Sequence, residues 1–242
     1  MKKQLLYLLL LLCSIASYSC NSTKILSATF ESDVISSAPA TNLVGEPTGD
    51  VITYNAAIEP QLRVQNSETA GEKALHFINA ALAGEPISGH NRWVGFRGIG
   101  TNLINTLWFT HTAKNVLPTG DLLIDVSDGN GNVMARMRIR ANGEVGLARN
   151  IQDIYTDVIG NLGQNGHTII FTTMPSELKY NVTIFRTGAA AITALNKPMV
   201  TENVLSFANP AHPTISFQYP VSPSGTQKYI IESVLISRRN PN

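Results

Sequence analysis

Past residue 20 the chain has no cysteine. Its only two, Cys13 and Cys20, fall within the first twenty of 242 residues. The rest of the chain therefore has no disulfide, no cysteine-ligated metal and no thiol redox chemistry. A domain built this way rests on its core, and a chain of this length buries roughly 70% of its surface. Charge is also scarce: 14% of residues are charged, 18 basic against 17 acidic. That balance leaves no electrostatic footprint for nucleic acid or an anionic lipid surface. No apolar run after the first twenty residues approaches the ~20 residues that a membrane helix needs. Long helical periodicity is missing as well. So are the compact signatures of catalysis. There is no Gly-x-Ser-x-Gly elbow, no His-Glu-x-x-His pair and no Gly-x-x-x-x-Gly-Lys phosphate loop. The histidines show no ligand spacing.

What the N-terminus does hold is ordered. Met1-Lys2-Lys3 is basic, Leu5 to Leu12 is apolar, and Ser14 to Ser19 is polar and small ahead of Cys20. This is the order of a secretory signal. It resembles a bacterial lipoprotein signal, with Ser19 as the small residue before the cysteine. It departs from that pattern at Ser17 and Tyr18, where a Leu and a small residue are usual. The resemblance implies cleavage before Cys20 and diacylglycerol on its thiol. It divides the chain into a signal (1–19), a short tether (20–24) and a single domain (25–242). It also implies a lipid anchor in the outer membrane. The lack of an acidic run after Cys20 favours the periplasmic side over the cell surface. A soluble secreted protein cut elsewhere is the alternative.

The domain itself reads as all-β. Short alternating apolar runs recur between Gly, Pro and Asn clusters. About a dozen such runs suggest two packed antiparallel sheets. The clearest element is a hairpin. Leu122, Ile124 and Val126 alternate with polar residues, as do Val133, Ala135, Met137 and Ile139. With Asn130-Gly131 as a type I′ turn, Val126 faces Ala135, Ile124 faces Met137 and Leu122 faces Ile139. On the other face Asp125 meets Arg136 and Asp121 meets Arg140. A slip of one residue would mix the faces. His167–Thr173 and Tyr180–Phe185 pair around Met174-Pro175-Ser176-Glu177. Ile215, Phe217 and Tyr219 share one face. Tyr229–Ser237, apolar on both faces apart from Glu232 and the serines, is a central strand. Lys73–Leu82 reads as either strand or helix, with its end tilted toward a turn.

Four stretches resemble the concanavalin A-like (laminin G-like) jelly rolls and related carbohydrate-binding modules. They are Ala28-Thr29-Phe30-Glu31-Ser32-Asp33, Gly45-Glu46-Pro47-Thr48-Gly49-Asp50, the pair His167–Phe171 with Tyr180–Ile184, and Tyr229–Ile236. The resemblance implies a two-sheet antiparallel jelly-roll sandwich and a polysaccharide partner. It also implies a structural calcium held at the positions of Glu31 and Glu232. Against that ion, Glu232 is followed by Ser233 where a second acid is usual, and calcium needs six to eight oxygens.

Trp93, Phe96 and Trp108, with Arg92 and Arg97, form the best aromatic cluster. Such residues either stack on sugar rings or fill a core; the face they occupy decides. Trp93, Arg97 and Trp108 are the candidate ligand-binding residues. Arg136, Arg138 and Arg140 form a stripe that could hold anionic sugars, or be neutralised across the sheet by Asp121 and Asp125. Asp125–Asn132 looks like a calcium loop but has Arg136 at the position of the bidentate acid. No paired carboxylates suit glycoside hydrolysis. Gln164, His167, Tyr180 and Arg186 are a loose echo of polysaccharide lyases. The reading is a non-catalytic, membrane-anchored protein that binds a glycan or cell-envelope polymer. An accessory subunit of an envelope complex is the alternative, and a lyase or hydrolase with a dispersed site is a more distant one.

Overall fold

The structure, a computed structural model, describes residues 24–40, 51–54, 62–67, 69, 71–79, 91–98, 105–116, 120–129, 132–150, 157–163, 165–200, 212–220 and 227–241. Cys20, the 45–50 loop, the Asn130-Gly131 turn and Gln164 lie outside these residues, as do Ala80–Leu82. The strands in chain order are β1 (Lys24–Ala28), β2 (Val51–Tyr54), β3 (Leu62–Asn66), β4 (Lys73–Asn79), β5 (Asn91–Arg97), β6 (Leu107–Val116), β7 (Leu122–Ser127) and β8 (Val133–Ile139). They continue as β9 (Glu144–Leu147), β10 (Asp157–Asn161), β11 (Gly166–Met174), β12 (Lys179–Arg186), β13 (Ala189–Pro198), β14 (Thr214–Pro220) and β15 (Gln227–Ser237). Among the described residues the only helical segment is one 3-10 turn, Pro175–Glu177. The open reading of Lys73–Leu82 resolves to strand β4, and the first strand begins at Lys24, inside the expected tether.

Two antiparallel sheets face each other. Sheet A runs β13-β12-β11-β6-β15-β4-β3, with β1 beside the second half of β15. Sheet B runs β10-β9-β8-β7-β14-β5-β2. β15 is central, as its two apolar faces predict: β6 covers one edge, and β4 and β1 share the other. Along β6 burial alternates residue by residue from Leu107 to Val116. That period of two separates a core face from an outer face. Phe77, Phe96, Phe109, Phe171, Phe217 and Tyr229 meet in the shared core.

From Leu122 to Val126 the β7–β8 register is the one the hairpin reading gives: Leu122 opposite Ile139, Ile124 opposite Met137, Asp125 opposite Arg136, and Val126 opposite Ala135. Beside the turn a bulge shifts Ser127 onto Val133, where a two-residue Asn130-Gly131 turn would set it opposite Met134. The Asp125–Arg136 pair is bidentate, at 2.8 and 2.7 Å. One pairing differs. Asp121 bonds Arg138, not Arg140, and Arg140 reaches Glu144 at 3.3 Å. Arg140 lies just past the end of β8, where the chain turns into β9. The Arg140 N–H is bonded to the Glu144 carbonyl at 2.8 Å, so that tight turn brings the two side chains together.

Where the sheet edges converge, β10 and β13 are clasped. Lys197 of β13 and Arg149 both reach Asp157 of β10, at 3.5 and 2.8 Å. The two cations hold the Asp157 carboxyl below its ordinary range, Arg149 most strongly. Ile192 packs over Gly160 so closely that a Cβ there would lie 2.5 Å from its Cδ1.

Candidate functional site

Alternation splits the aromatic cluster. On β5, Val94 and Phe96 point into the core, while Trp93 and Arg97 point outward from sheet B. Trp108 is on the outer face of sheet A, since its neighbours Leu107 and Phe109 are buried in the core. The two tryptophans therefore stand on opposite sides of the sandwich and cannot share one ligand contact. Phe96 is a core residue, packed edge-on against Phe217 at 6.0 Å.

Trp93 and Arg97 do come together. They flank a trough of about 230 Å³, lined also by Gly95, Ser127, Gly129, Thr214 and Ser216. The register explains it. Gly95 lies opposite Ser216, and Arg97 opposite Thr214, which in turn faces Ser127. A glycine and three hydroxyl residues make a low floor between an indole and a guanidinium. Trp93 is 36% exposed. Gly129 closes one end with φ +80°, and a Cβ there would lie 2.7 Å from the His212 carbonyl oxygen. Only glycine fits that corner without strain. Arg97 has no carboxylate partner among the described residues. Hydroxyls, a free indole face and one cation provide hydrogen bonds and a stacking surface. They supply no paired acid and base.

The other candidate chemistries are not assembled. Tyr180 lies opposite Thr173 on β11, and Arg186 opposite His167, six residues further along the same strand. His167 turns inward. Its Nε2 is 2.7 Å from the Tyr229 hydroxyl, and His111 Nε2 is 3.0 Å from the same oxygen. The Asn165 carbonyl, 3.2 Å from His167 Nδ1, requires a proton on that nitrogen. His167 Nε2 then accepts from the Tyr229 O–H, and the Tyr229 oxygen accepts from His111 Nε2–H. Burial holds the His167 imidazole down to about 4, and lowers His111 further below its ordinary value, with His167 nearby adding to the effect. Both rings are neutral structural groups at pH 7.

Nor do the residues at Glu31 and Glu232 fit a calcium. Glu31 Oε1 accepts the Lys73 backbone N–H at 3.0 Å. The carbonyl oxygens of Glu31 and Asp33 are each 2.7 Å from Lys73 Nζ. An ammonium already occupies the oxygens a metal would recruit. Glu232 Oε1 instead takes the Ser67 hydroxyl at 3.2 Å. Among the described residues no group of three acids, histidines or cysteines could hold a metal.

The arginine stripe is neutralised across the sheet, through Asp125, Asp121 and Glu144. Sequence reasoning missed Gly95 and Ser216. Strict alternation through Val94 and Phe96 would have placed Trp93, Gly95 and Arg97 on one face.

No sequence family matches the chain, and no curated protein does. Solved structures do match. A sialidase superposes with a TM-score of 0.55 at 13% identity, over 90% of this chain and 19% of that one. The binding domain of botulinum neurotoxin DC in complex with SialylT gives 0.53 at 13% identity, over 92% and 49%. The chain thus spans about a fifth and about half of those proteins. Peanut lectin gives 0.52 at 11% identity, over 88% of this chain and 97% of the lectin. The fold is the lectin-type jelly-roll sandwich, as the strand pattern and the resemblance imply.

Proposed function

We propose that this protein binds a glycan or cell-envelope polysaccharide without transforming it, and that the Trp93 trough is the binding site. The observation that carries the reading is an exposed indole beside a glycine-and-hydroxyl floor, on a face where Arg136 and Arg138 are tied in ion pairs. An indole stacks on the C–H face of a pyranose. Thr214, Ser216 and Ser127 exchange hydrogen bonds with its hydroxyls, and Arg97 donates. The shared lectin fold adds support by analogy alone.

The non-catalytic reading is supported by the state of the carboxylates on the sheet that carries the trough. Asp121, Asp125, Glu144 and Asp157 are each committed to an arginine. Lipidation at Cys20 would hold the sandwich on the periplasmic side of the outer membrane, close to envelope polymers. Mass spectrometry of the membrane fraction tests that anchor; an unmodified N-terminus at another residue would remove it. A glycan array with the domain from Lys24 onward tests the binding. Trp93→Ala should weaken any hit by about tenfold, the loss of one stacked aromatic contact. Unchanged binding would overturn the assignment of the trough.

A further inference from the structure

A larger cleft, about 440 Å³, lies on the outer face of sheet A, away from Trp93. Its floor, Thr112 and Thr168 with Phe185 beside them, belongs to one row of the sheet that Ser233 extends. Ser233 of β15 faces Thr112 of β6, Thr112 faces Thr168 of β11, and Thr168 faces Phe185 of β12. Three strand spacings make that row ~14 Å long. Two hairpin tips rise beside it. At one end the β3–β4 turn brings Ser67 and Thr69, and at the other the β12–β13 turn brings Arg186 and Thr187.

Each end carries a distinct group. Phe185 is 42% exposed in a protein whose other phenylalanines are buried wherever they are described. Its ring lines the cleft and covers no core. At the opposite end a β-bulge between Ile231 and Ser233 adds Glu232 to the strand, and its carboxylate enters the cleft. Bulges re-aim side chains in this way. Ser67 takes one of its oxygens, and the other has no partner among the described residues. Between them Thr112 and Thr168 touch at 3.1 Å between hydroxyls.

The chemistry selects a ligand class. A lone carboxylate in the cleft opposes a phosphate or a uronate. Arg186 keeps its charge but sits at the far end of the row from Glu232, with its guanidinium N–H groups turned to the carbonyls of Ala190 and Asn161 and away from a ligand. Threonines along the floor do not suit an apolar tail. What remains is a neutral, hydroxyl-rich molecule with one apolar face. Its C–H face would lie on Phe185, and hydroxyls further along would donate to Glu232.

We infer that this cleft is a second binding site for a neutral oligosaccharide, and that the chain is bivalent. The inference extends the reading of the Trp93 trough. Because the two sites open on opposite faces of a sandwich whose sheets pack ~10 Å apart, a straight polymer strand cannot fill both. A monomer would instead link two strands, and linkage raises avidity without new contacts.

Titration calorimetry with a neutral oligosaccharide chosen from the array tests this, set beside its uronic-acid counterpart. Wild type should take up two ligands per chain and bind the uronate at least about tenfold more weakly at the sheet A site. Phe185→Ala and Glu232→Gln should each remove or weaken one binding event by about tenfold and leave the Trp93 event unchanged. Phe185 is exposed, and the glutamine is isosteric, so neither change threatens the fold. A long neutral polysaccharide should turn turbid with wild type and stay clear with either Phe185→Ala or Trp93→Ala. A single event abolished by Trp93→Ala and indifferent to Phe185→Ala would overturn the second site and keep the first. A single event lost in Phe185→Ala and indifferent to Trp93→Ala would overturn the first and keep the sheet A site. An array with no neutral glycan bound would overturn both.

Discussion

The two sheets carry their polar groups on opposite sides. Sheet B keeps them outside: Asp125–Arg136, Asp121–Arg138 and Glu144–Arg140 decorate its outer face, over a core face of Ile124, Met137, Ile139, Ile215 and Phe217. Sheet A sends histidines inward, and its outer face mixes threonines with scattered charges such as Lys114, Lys179 and Glu232. His111, His167 and Tyr229 form a hydrogen-bonded chain in the core, and the His111 ring packs on Phe217 of sheet B at 4.9 Å. Pairs on a face that water reaches contribute modestly. A hydrogen-bonded polar chain in the core is different, because each member becomes costly once its partner is gone. Sheet A, which carries the buried histidine chain, is therefore the one more sensitive to single substitutions and to acid.

Two tyrosines give the sharpest test. Tyr229 projects from sheet A and serves both histidines, whereas Tyr219 of sheet B is buried with its hydroxyl unpartnered among the described residues. Tyr229→Phe strands a donor on His111 and an acceptor on His167, at about 1–3 kcal/mol each, so a loss of about 4 kcal/mol is expected. Tyr219→Phe removes a buried hydroxyl that gains nothing in the fold and should be neutral or stabilising by about 1 kcal/mol. Urea denaturation of both variants reads the difference. Equal effects would erase the contrast between the sheets.

Acid should act on sheet A in the same direction. The folded His167 imidazole titrates at about 4, held down by burial, against an ordinary 6.5. Between those values the unfolded chain binds a proton that the fold does not. Stability is therefore complete above about pH 6.5 and falls as pH drops toward 4, by roughly 3 kcal/mol from His167. His111, lowered in the same direction, adds to the loss. Thermal melts from pH 7.5 to 4 check this. A flat profile would mean that the rings do not stay neutral in the fold.

These histidines also mark where sequence reasoning stopped. The β7–β8 register from Leu122 to Val126 was legible because strict alternation allows only one pairing that keeps an apolar face whole; the bulge at Ser127 was not, since no alternation marks it. The inward set Ile215, Phe217 and Tyr219 was legible for the same reason. Tyr229 meets partners 118 and 62 residues away, and no local period encodes such a meeting. Glu232 was read against a metal, yet a bulge of one residue turns it into an open cleft. Trp93 and Trp108 looked like one cluster because they are near in sequence, although the chain passes from sheet B to sheet A between them. Local pattern specifies which side of a strand a residue takes. The topology decides which sheet that strand joins.

On sheet B the matching test is Asp125→Ala. Both partners are mostly shielded, with side chains 14% and 17% exposed, and the contact is bidentate. Bonding to Asp125 holds the Arg136 guanidinium above its ordinary value. Losing a charge-assisted pair of this kind should cost about 2 kcal/mol, less than Tyr229→Phe. A larger loss than Tyr229→Phe would reverse the ranking of the sheets.

The smallest effect belongs to the outer face of sheet A. Thr112 and Thr168 bond each other, half-buried, across adjacent strands. Replacing both with valine removes the two partners together, leaves no stranded group and keeps a β-branched side chain suited to a strand. The double variant should melt within about 0.5 kcal/mol of wild type. It should nonetheless lose the hydroxyl floor of the cleft beside Phe185 and bind the neutral oligosaccharide there about tenfold more weakly. If stability fell while binding held, the threonine row would be a structural ladder that owes nothing to a ligand.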